Sequence, residues 1–173
     1  MAHIHNGSAA EIPEQVKNHR AIARLAFELD GTDWALLGEL QQHARMTIAD
    51  AGRRIGLTAP ATAERLRRLE ESGVIRGYHA LLNLEKLGRP LTAFVRVRFN
   101  GSRHDVFQRT VERMPEILEC YHITGEDCFI MKVAVATMHD LERVSSALSQ
   151  FGSIATSVVY STMLERRAIT APV

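Results

Sequence analysis

The chain has 173 residues, room for one ordinary domain or two small ones, and its 46% hydrophobic and 24% charged residues are the composition of a folded chain rather than a disordered one. A formal net charge of +1 excludes any bulk-charge argument for a polyanionic partner, and no apolar run reaches the roughly 18 residues of a membrane span. The opening MAHIHNGSAAEIPEQ lacks the hydrophobic segment of a secretory signal, and only two cysteines occur, Cys120 and Cys128, so a reduced, cytoplasmic chain is the expectation.

Residues 1–28 read as an N-terminal extension. It begins small and polar, then shows helical spacing in EQVKNHRAIARLAFEL through Val16, Ala23, Leu25, Ala26 and Leu29, which suits an arm or extra helix. His3 and His5 read as tail residues, not a metal site. Residues 29–82 then carry three closely spaced helical segments. TDWALLGELQQHA starts on Thr32 as a candidate N-cap, with Trp34, Leu37, Leu40 and Gln41 at helical steps. TIADAGRRIGL starts on Thr47, with Asp50 three residues on and Gly56 as a stop. Gly52 in its middle costs roughly 1 kcal/mol against alanine, so this helix is expected to be the softest of the three. The third helix is capped by Thr58, with Pro60 in its first turn, where a missing N–H costs nothing. Its period places Thr62, Leu66, Leu69 and Gly73 on a buried face, with Ala61, Glu64, Arg65 and Arg68 opposite.

VIRGYHALL reads as two short strands around Gly77, a small hairpin. Residues 83–90, with Gly88 and Pro90, read as a hinge linker. Beyond it the pattern changes to strand LTAFVRVRF, helix RHDVFQRTVERM, strand EILECYHI, turn TGED, strand CFIMKVAVA, helix MHDLERVSSAL and strand IATSVVYS. That is β-α-β-β-α-β over residues 91–165, the ferredoxin-like order, followed by a tail at 166–173. The fold class is therefore α+β, and an open sheet with helices on one face favours self-association through the other.

Charge is concentrated where the helices cluster. From Arg45 to Arg68, six arginines (45, 53, 54, 65, 67, 68) face only Asp50 and Glu64, a local balance of +4. A helix-turn-helix needs small or polar residues at the start of its reading helix and basic residues beyond, to approach bases and hold phosphates. Thr58, Ala59, Pro60, Ala61 and Thr62 meet the first demand and Arg65 and Arg68 the second, while Arg45, Arg53 and Arg54 suit backbone contacts, with Thr47 at the start of the preceding helix. The expected partner is double-stranded DNA.

The runs LDGTDWALLGELQ, TIADAGRRIGLTAPATAERLRRLEESGVIRGYHALLNLEKLG and RMPEILECYHITGEDCFIMKV resemble the Lrp/AsnC, or feast/famine, family of transcription regulators. The resemblance covers about residues 29 to 165. It implies a winged helix-turn-helix, a hinge and an αβ domain that dimerises through its sheets, with tetramers or octamers built from dimers, in a bacterial or archaeal cytoplasm. It implies that Arg76, Tyr78 and His79 lie in the wing. It also implies a small-molecule effector, an amino acid or relative, bound around Thr124, Gly125, Glu126, Asp127 and Cys128. The family's usual Gly-Asp-x-Asp becomes Gly125-Glu126-Asp127-Cys128 here, so Glu126 or Asp127 must stand in for the missing acid against an ammonium group, with Thr156, Ser157 and Tyr160 as further polar contacts.

No catalytic residue, metal site or cofactor is expected. There is no G-x-S-x-G, Walker loop, Rossmann fingerprint or H-x-x-x-H spacing. With a turn near Gly125, Cys120 falls opposite Met131 and Cys128 opposite Ile123, which leaves both thiols structural and unpaired. The alternative is a sirohaem-type decarboxylase, because such enzymes resemble the same fold.

Overall fold

A computed structural model describes residues 28–99, 103–125 and 128–172. The expected arm over 14–29 and the tail histidines His3 and His5 lie outside these residues, apart from the last two positions of the arm. The chain divides into two compact units. One comprises the described residues up to Ala80 together with Arg166 onward, and the other spans Leu81–Glu165.

The first unit starts where Asp30 caps α1 (Gly31–Gln42). The Asp30 carboxylate accepts the Asp33 N–H at 2.8 Å, and the Asp33 carboxylate accepts the Asp30 N–H at 3.2 Å. This reciprocal box corrects the expectation of Thr32 as the cap, since two carboxylates satisfy two otherwise orphaned donors. α2 (Ile48–Ile55) is capped by Thr47, whose hydroxyl accepts from Asp50 N, and it ends on Gly56 in the left-handed region at φ 74°. α3 (Ala59–Glu71) is capped by Thr58 with a proline in its first turn. Leu36, Ala51 and Leu69 form the buried centre, with Leu40, Met46, Ile55 and Leu66 packed around them. Fully burying a leucine contributes about 1.5–3 kcal/mol, so three short helices hold together through few contacts.

Gly52 has a packing role beside its helix propensity. A Cβ there would lie 2.7 Å from both the Leu57 carbonyl oxygen and Thr62 Oγ1, so the absent side chain lets α2 and α3 approach closely. The expected hairpin around Gly77 is also corrected, because residues 76–83 form no strand. One extended segment cannot build a ladder without a second to accept its hydrogen bonds.

The second unit begins with the residues read as a linker. They fold into a turn at 84–88, with Arg89 N–H donating to Leu84 O at 2.8 Å and the Arg89 guanidinium to Pro115 O at 2.7 Å. The elements then follow as β1 (Leu91–Phe99), α4 (His104–Glu112), β2 (Ile117–His122), β3 (Phe129–Val135), α5 (Met138–Leu148), a short 3-10 turn (Ser149–Phe151) and β4 (Gly152–Val158). The sheet order is β2-β3-β1-β4, antiparallel at every junction. Strand alternation sends Ala93, Val95, Val97, Met131 and Val133 into the core, where Phe107, Leu141, Val144 and Leu148 of the helices meet them. Phe94, Arg96 and Arg98 point the other way, exposed. Both cysteines are free, and Cys120 pairs in register with Met131, as the turn placement required.

Candidate nucleic-acid interface and effector region

The candidate reading helix α3 exposes its first turn. Thr58, Ala59, Pro60 and Ala61 are all exposed, which leaves small side chains and cap geometry at the tip. Thr62 departs from expectation. It is completely buried, and its hydroxyl donates to the Thr58 carbonyl at 2.9 Å, so it packs and cannot touch a base. Arg65 also departs, because its side chain is only 26% exposed. Arg65 Nη1 donates to Asp30 Oδ2 and Asp33 Oδ1, both at 2.7 Å. Three residues of helix advance 300°, so Arg65 sits about 60° from Thr62, on the flank of the buried face and not opposite it. Those two carboxylates raise the pKa of the guanidinium, its hydrogen bond to Asp30 most, then that to Asp33. Arg68 is half-exposed and reaches Asp33 Oδ2 at 3.3 Å.

The remaining arginines are mostly paired too. Arg53 pairs with Asp50, Arg54 Nη1 with Glu39 Oε2 at 3.1 Å, and Arg67 bridges Glu64 at 2.6 Å and Glu71 at 2.5 Å. Arg45 and Arg76 are exposed and carry no ion pair among the described residues. The acids respond accordingly. The Asp33 amide, then Arg65, holds the Asp30 carboxyl below the usual range, the Thr47 hydroxyl does so for Asp50, and Arg67 does so for Glu64. Tyr78 donates to Glu70 Oε1 at 2.9 Å, and burial with that acceptor pushes its phenol up to about 12.

In the second unit the described effector candidates lie on separate elements. Thr124 and Gly125 sit in the β2–β3 turn, where Gly125 has φ 114° and a side chain would be strained. Glu126 and Asp127 lie outside the described residues. Cys128 is half-buried, with its thiol 3.9 Å from the Phe99 carbonyl. Thr156 and Ser157 are on β4, at the opposite sheet edge from β2. Adjacent strand residues face opposite sides, so Thr156 pairs with Ser145 of α5 at 3.2 Å, while Ser157 sits beside Phe94 on the outer face. Tyr160 follows the strand fully exposed.

A cavity that sequence reasoning missed opens between α4 and β2–β3. Its volume is about 410 Å³, and His104, Phe107, Gln108, Val111, Glu112, Cys120, His122 and Phe129 line it. His122 stacks on Phe129 at 4.7 Å between ring centroids, and His104 stacks on Phe99 at 4.5 Å. Two signals were available: helical steps through His104, Phe107, Val111 and Glu112, and the two-residue step from Cys120 to His122. Burial raises the Cys120 thiol pKa, which keeps it protonated. Among the described residues no group of three or more His, Cys, Asp or Glu could hold a metal ion, and no helix is long and apolar enough to cross a membrane.

A helix-turn-helix with an exposed, capped reading helix, followed by an α+β domain with an open sheet face, defines a DNA-binding transcriptional regulator. Residues 29–76 match the winged helix-turn-helix DNA-binding model and residues 92–169 the Lrp/AsnC ligand binding domain model, and the chain belongs to the Lrp/AsnC family. It is 35% identical over 133 residues to the uncharacterized HTH-type transcriptional regulator YezC of Bacillus subtilis, covering 77% of this chain and 94% of that one. Among solved structures it is similar to B. subtilis LrpC, with TM-score 0.77, 28% identity, and 79% and 98% of the two chains covered. It is also similar to the Neisseria meningitidis transcriptional regulator NMB0573 in complex with L-Met, with TM-score 0.75, 28% identity, and coverage of 84% and 97%.

Proposed function

We propose that the protein regulates transcription in the cytoplasm as a dimer, or a ring of dimers, whose reading helices enter successive major grooves. The observation that carries this is the first turn of α3, where Thr58 to Ala61 present no bulky side chain and Arg53, Arg54 and Arg68 stand exposed nearby on the same unit. Arg45, Thr47 and Arg76 add phosphate contacts, and Arg65 fixes the helix from behind through Asp30 and Asp33. Phe94 and Tyr121 are exposed on the outer sheet face, with Ile130 half-buried beside Tyr121, and a second copy supplies their cover.

The effector is an amino acid. NMB0573, of the same fold, was solved with L-Met, and the α4–β2 cavity has the chemistry to hold such a ligand. Glu112 offers a carboxylate to the ammonium group, His104 and His122 offer donors to the carboxylate, and Phe107, Val111 and Phe129 meet an apolar side chain. Ligand binding shifts the equilibrium between oligomeric arrangements by its different affinity for each, and so the spacing of reading helices. Chemistry on a substrate is not part of this reading, because the relatives are regulators.

The test is a gel-shift titration with the protein's own upstream region, with and without each of the twenty amino acids, followed by light scattering of any responsive pair. Saturable binding with competitor DNA present, altered by at least one amino acid together with oligomer size, is the expected result. Absence of duplex binding contradicts the reading.

A further inference from the structure

The chain leaves the first unit after Ala80 and comes back to it at Arg166, so the two units are joined by two stretches of chain. Within the first unit the returning tail is fastened at Gln41, half-buried in the last turn of α1. Gln41 Oε1 accepts the Ile169 N–H at 2.8 Å, and Gln41 Nε2 donates to the Ile169 carbonyl at 3.0 Å. Both are well-formed hydrogen bonds. Residues 166–172 form neither helix nor strand, so the Ile169 backbone has no ladder to join. A primary amide offers a donor and an acceptor side by side, which matches both main-chain groups of one residue. The tail is held by main chain more than by side chains, since Ala168 alone of these residues is half-buried and the rest are exposed. The other end of the returning stretch is held in the sheet, where the Val159 N–H donates to Thr92 O at 2.9 Å just past β4.

We propose that the C-terminal tail is a strap, with Gln41 as its catch, that carries a ligand-driven change in the second unit to α1 of the first. Two units joined by one linker turn about it freely, and relative motion is the default. A second attachment removes part of that freedom. The stretch from Val159 to Ile169 reaches at most about 36 Å when fully extended, so a larger separation of its ends opens the catch. Two exposed hydrogen bonds favour the docked tail by a factor on the order of ten, which leaves the catch able to open. A ligand that favours one position of the end of β4 therefore changes the docked fraction. The effect reaches the reading helix through α1, because Asp30 and Asp33 at its other end hold Arg65 of α3. The strap rests on the effector reading above and names the route of its signal.

The experiment compares the full chain with Q41A, with a chain ending at Glu165, and with Q42A, which changes an exposed neighbour as a control. Hydrogen–deuterium exchange, read by mass spectrometry on the peptide containing Ile169, tests the catch. One amide should exchange roughly tenfold slower in the wild type and Q42A than in Q41A. Equal rates in the wild type and Q41A overturn the catch. Thermal melts and gel shifts on the protein's own upstream region, each with the twenty amino acids in turn, test the route. An amino acid that alters DNA binding by the wild type should raise the melting temperature of all four proteins equally. Its effect on DNA affinity should be whole in Q42A and mostly lost in Q41A and the shortened chain. A full DNA response in both of these overturns the strap while leaving the effector reading intact. Loss of the melting-temperature rise in both assigns the tail to the ligand site and overturns the strap as well. If no amino acid alters DNA binding by the wild type, the effector reading and the strap fall together.

Discussion

Arg65 of the reading helix is bound at 2.7 Å to Asp33, a carboxylate wholly buried at the start of the first helix. Asp33 also receives Arg68 at 3.3 Å and closes the capping box with Asp30, which takes the other bond from Arg65. One acid thus helps cap the start of α1 and pairs with two basic side chains of α3. Two of the arginines that give this stretch its local charge are therefore part of the unit's frame, and their attraction to phosphate is partly spent within the protein.

Replacing Asp33 by asparagine keeps the shape but removes the charge that two guanidinium groups face. Arg65 is partly exposed, so the loss falls between that of a surface pair and that of a fully buried one, about 2 kcal/mol. Urea denaturation followed by the single tryptophan, Trp34 in α1, measures it directly. A change below about 0.5 kcal/mol would show that the ion pair is dispensable.

Two glycines predict opposite outcomes for the same substitution. Gly52→Ala places a methyl group 2.7 Å from the Leu57 carbonyl and Thr62 Oγ1, and should destabilise by about 1–3 kcal/mol despite the better helix propensity. Gly38→Ala in α1 meets nothing within 4 Å and should stabilise by about 0.5–1 kcal/mol. Thermal melts of the two variants settle both signs.

Local signals were readable where the chemistry is local. The Thr47 and Thr58 caps, the Gly56 stop, the strand and helix order of the second unit and the pairing of Cys120 with Met131 follow from neighbouring residues and from period. What escaped depended on distance through space. Thr32 and Asp30 are both of cap-forming type, and only the reciprocal bonds between Asp30 and Asp33 decide between them. Arg65 could be assigned to the flank of α3 only by taking the helical angle strictly and knowing that an acid waits beside it. The role of Gly52 depends on how close α3 comes, and the α4–β2 cavity joins residues from separate elements. Thr156 and Ser157 were grouped by sequence although a strand sends them to opposite faces.

Acid should loosen both units over the same range. Asp30, Asp50 and Glu64 in the first unit, and Glu116 and Asp140 in the second, have folded pKa values below the ordinary carboxylate range. Lowered carboxyl values contribute stability that is present above the unfolded pKa and lost as the pH falls through the folded one. Stability should therefore hold from pH 7 down to about 4.5 and decline below it. Urea midpoints at pH 7, 5 and 3 check this, and a midpoint unchanged at pH 3 contradicts it.

The cavity proposed for the effector gives a sharper test than the β2–β3 turn. Among the twenty amino acids, one with an apolar side chain should raise the melting temperature. At a hundred times its Kd the ligand contributes about 2.7 kcal/mol. Glu112→Gln removes the proposed ammonium partner from an exposed position and should abolish the shift without lowering the ligand-free melting temperature. Retention of the full shift in this variant would place the ligand elsewhere.

The most direct measurement is hydroxyl-radical footprinting on a bound upstream region, with the wild type and with Ala59→Asp, which puts a carboxylate at the exposed tip of α3. The account predicts protected half-sites on one face of the duplex, spaced by whole helical turns, and their loss in the variant while its melting temperature is unchanged. Protection that persists with Ala59→Asp would show that α3 does not enter the groove, and would contradict the central claim.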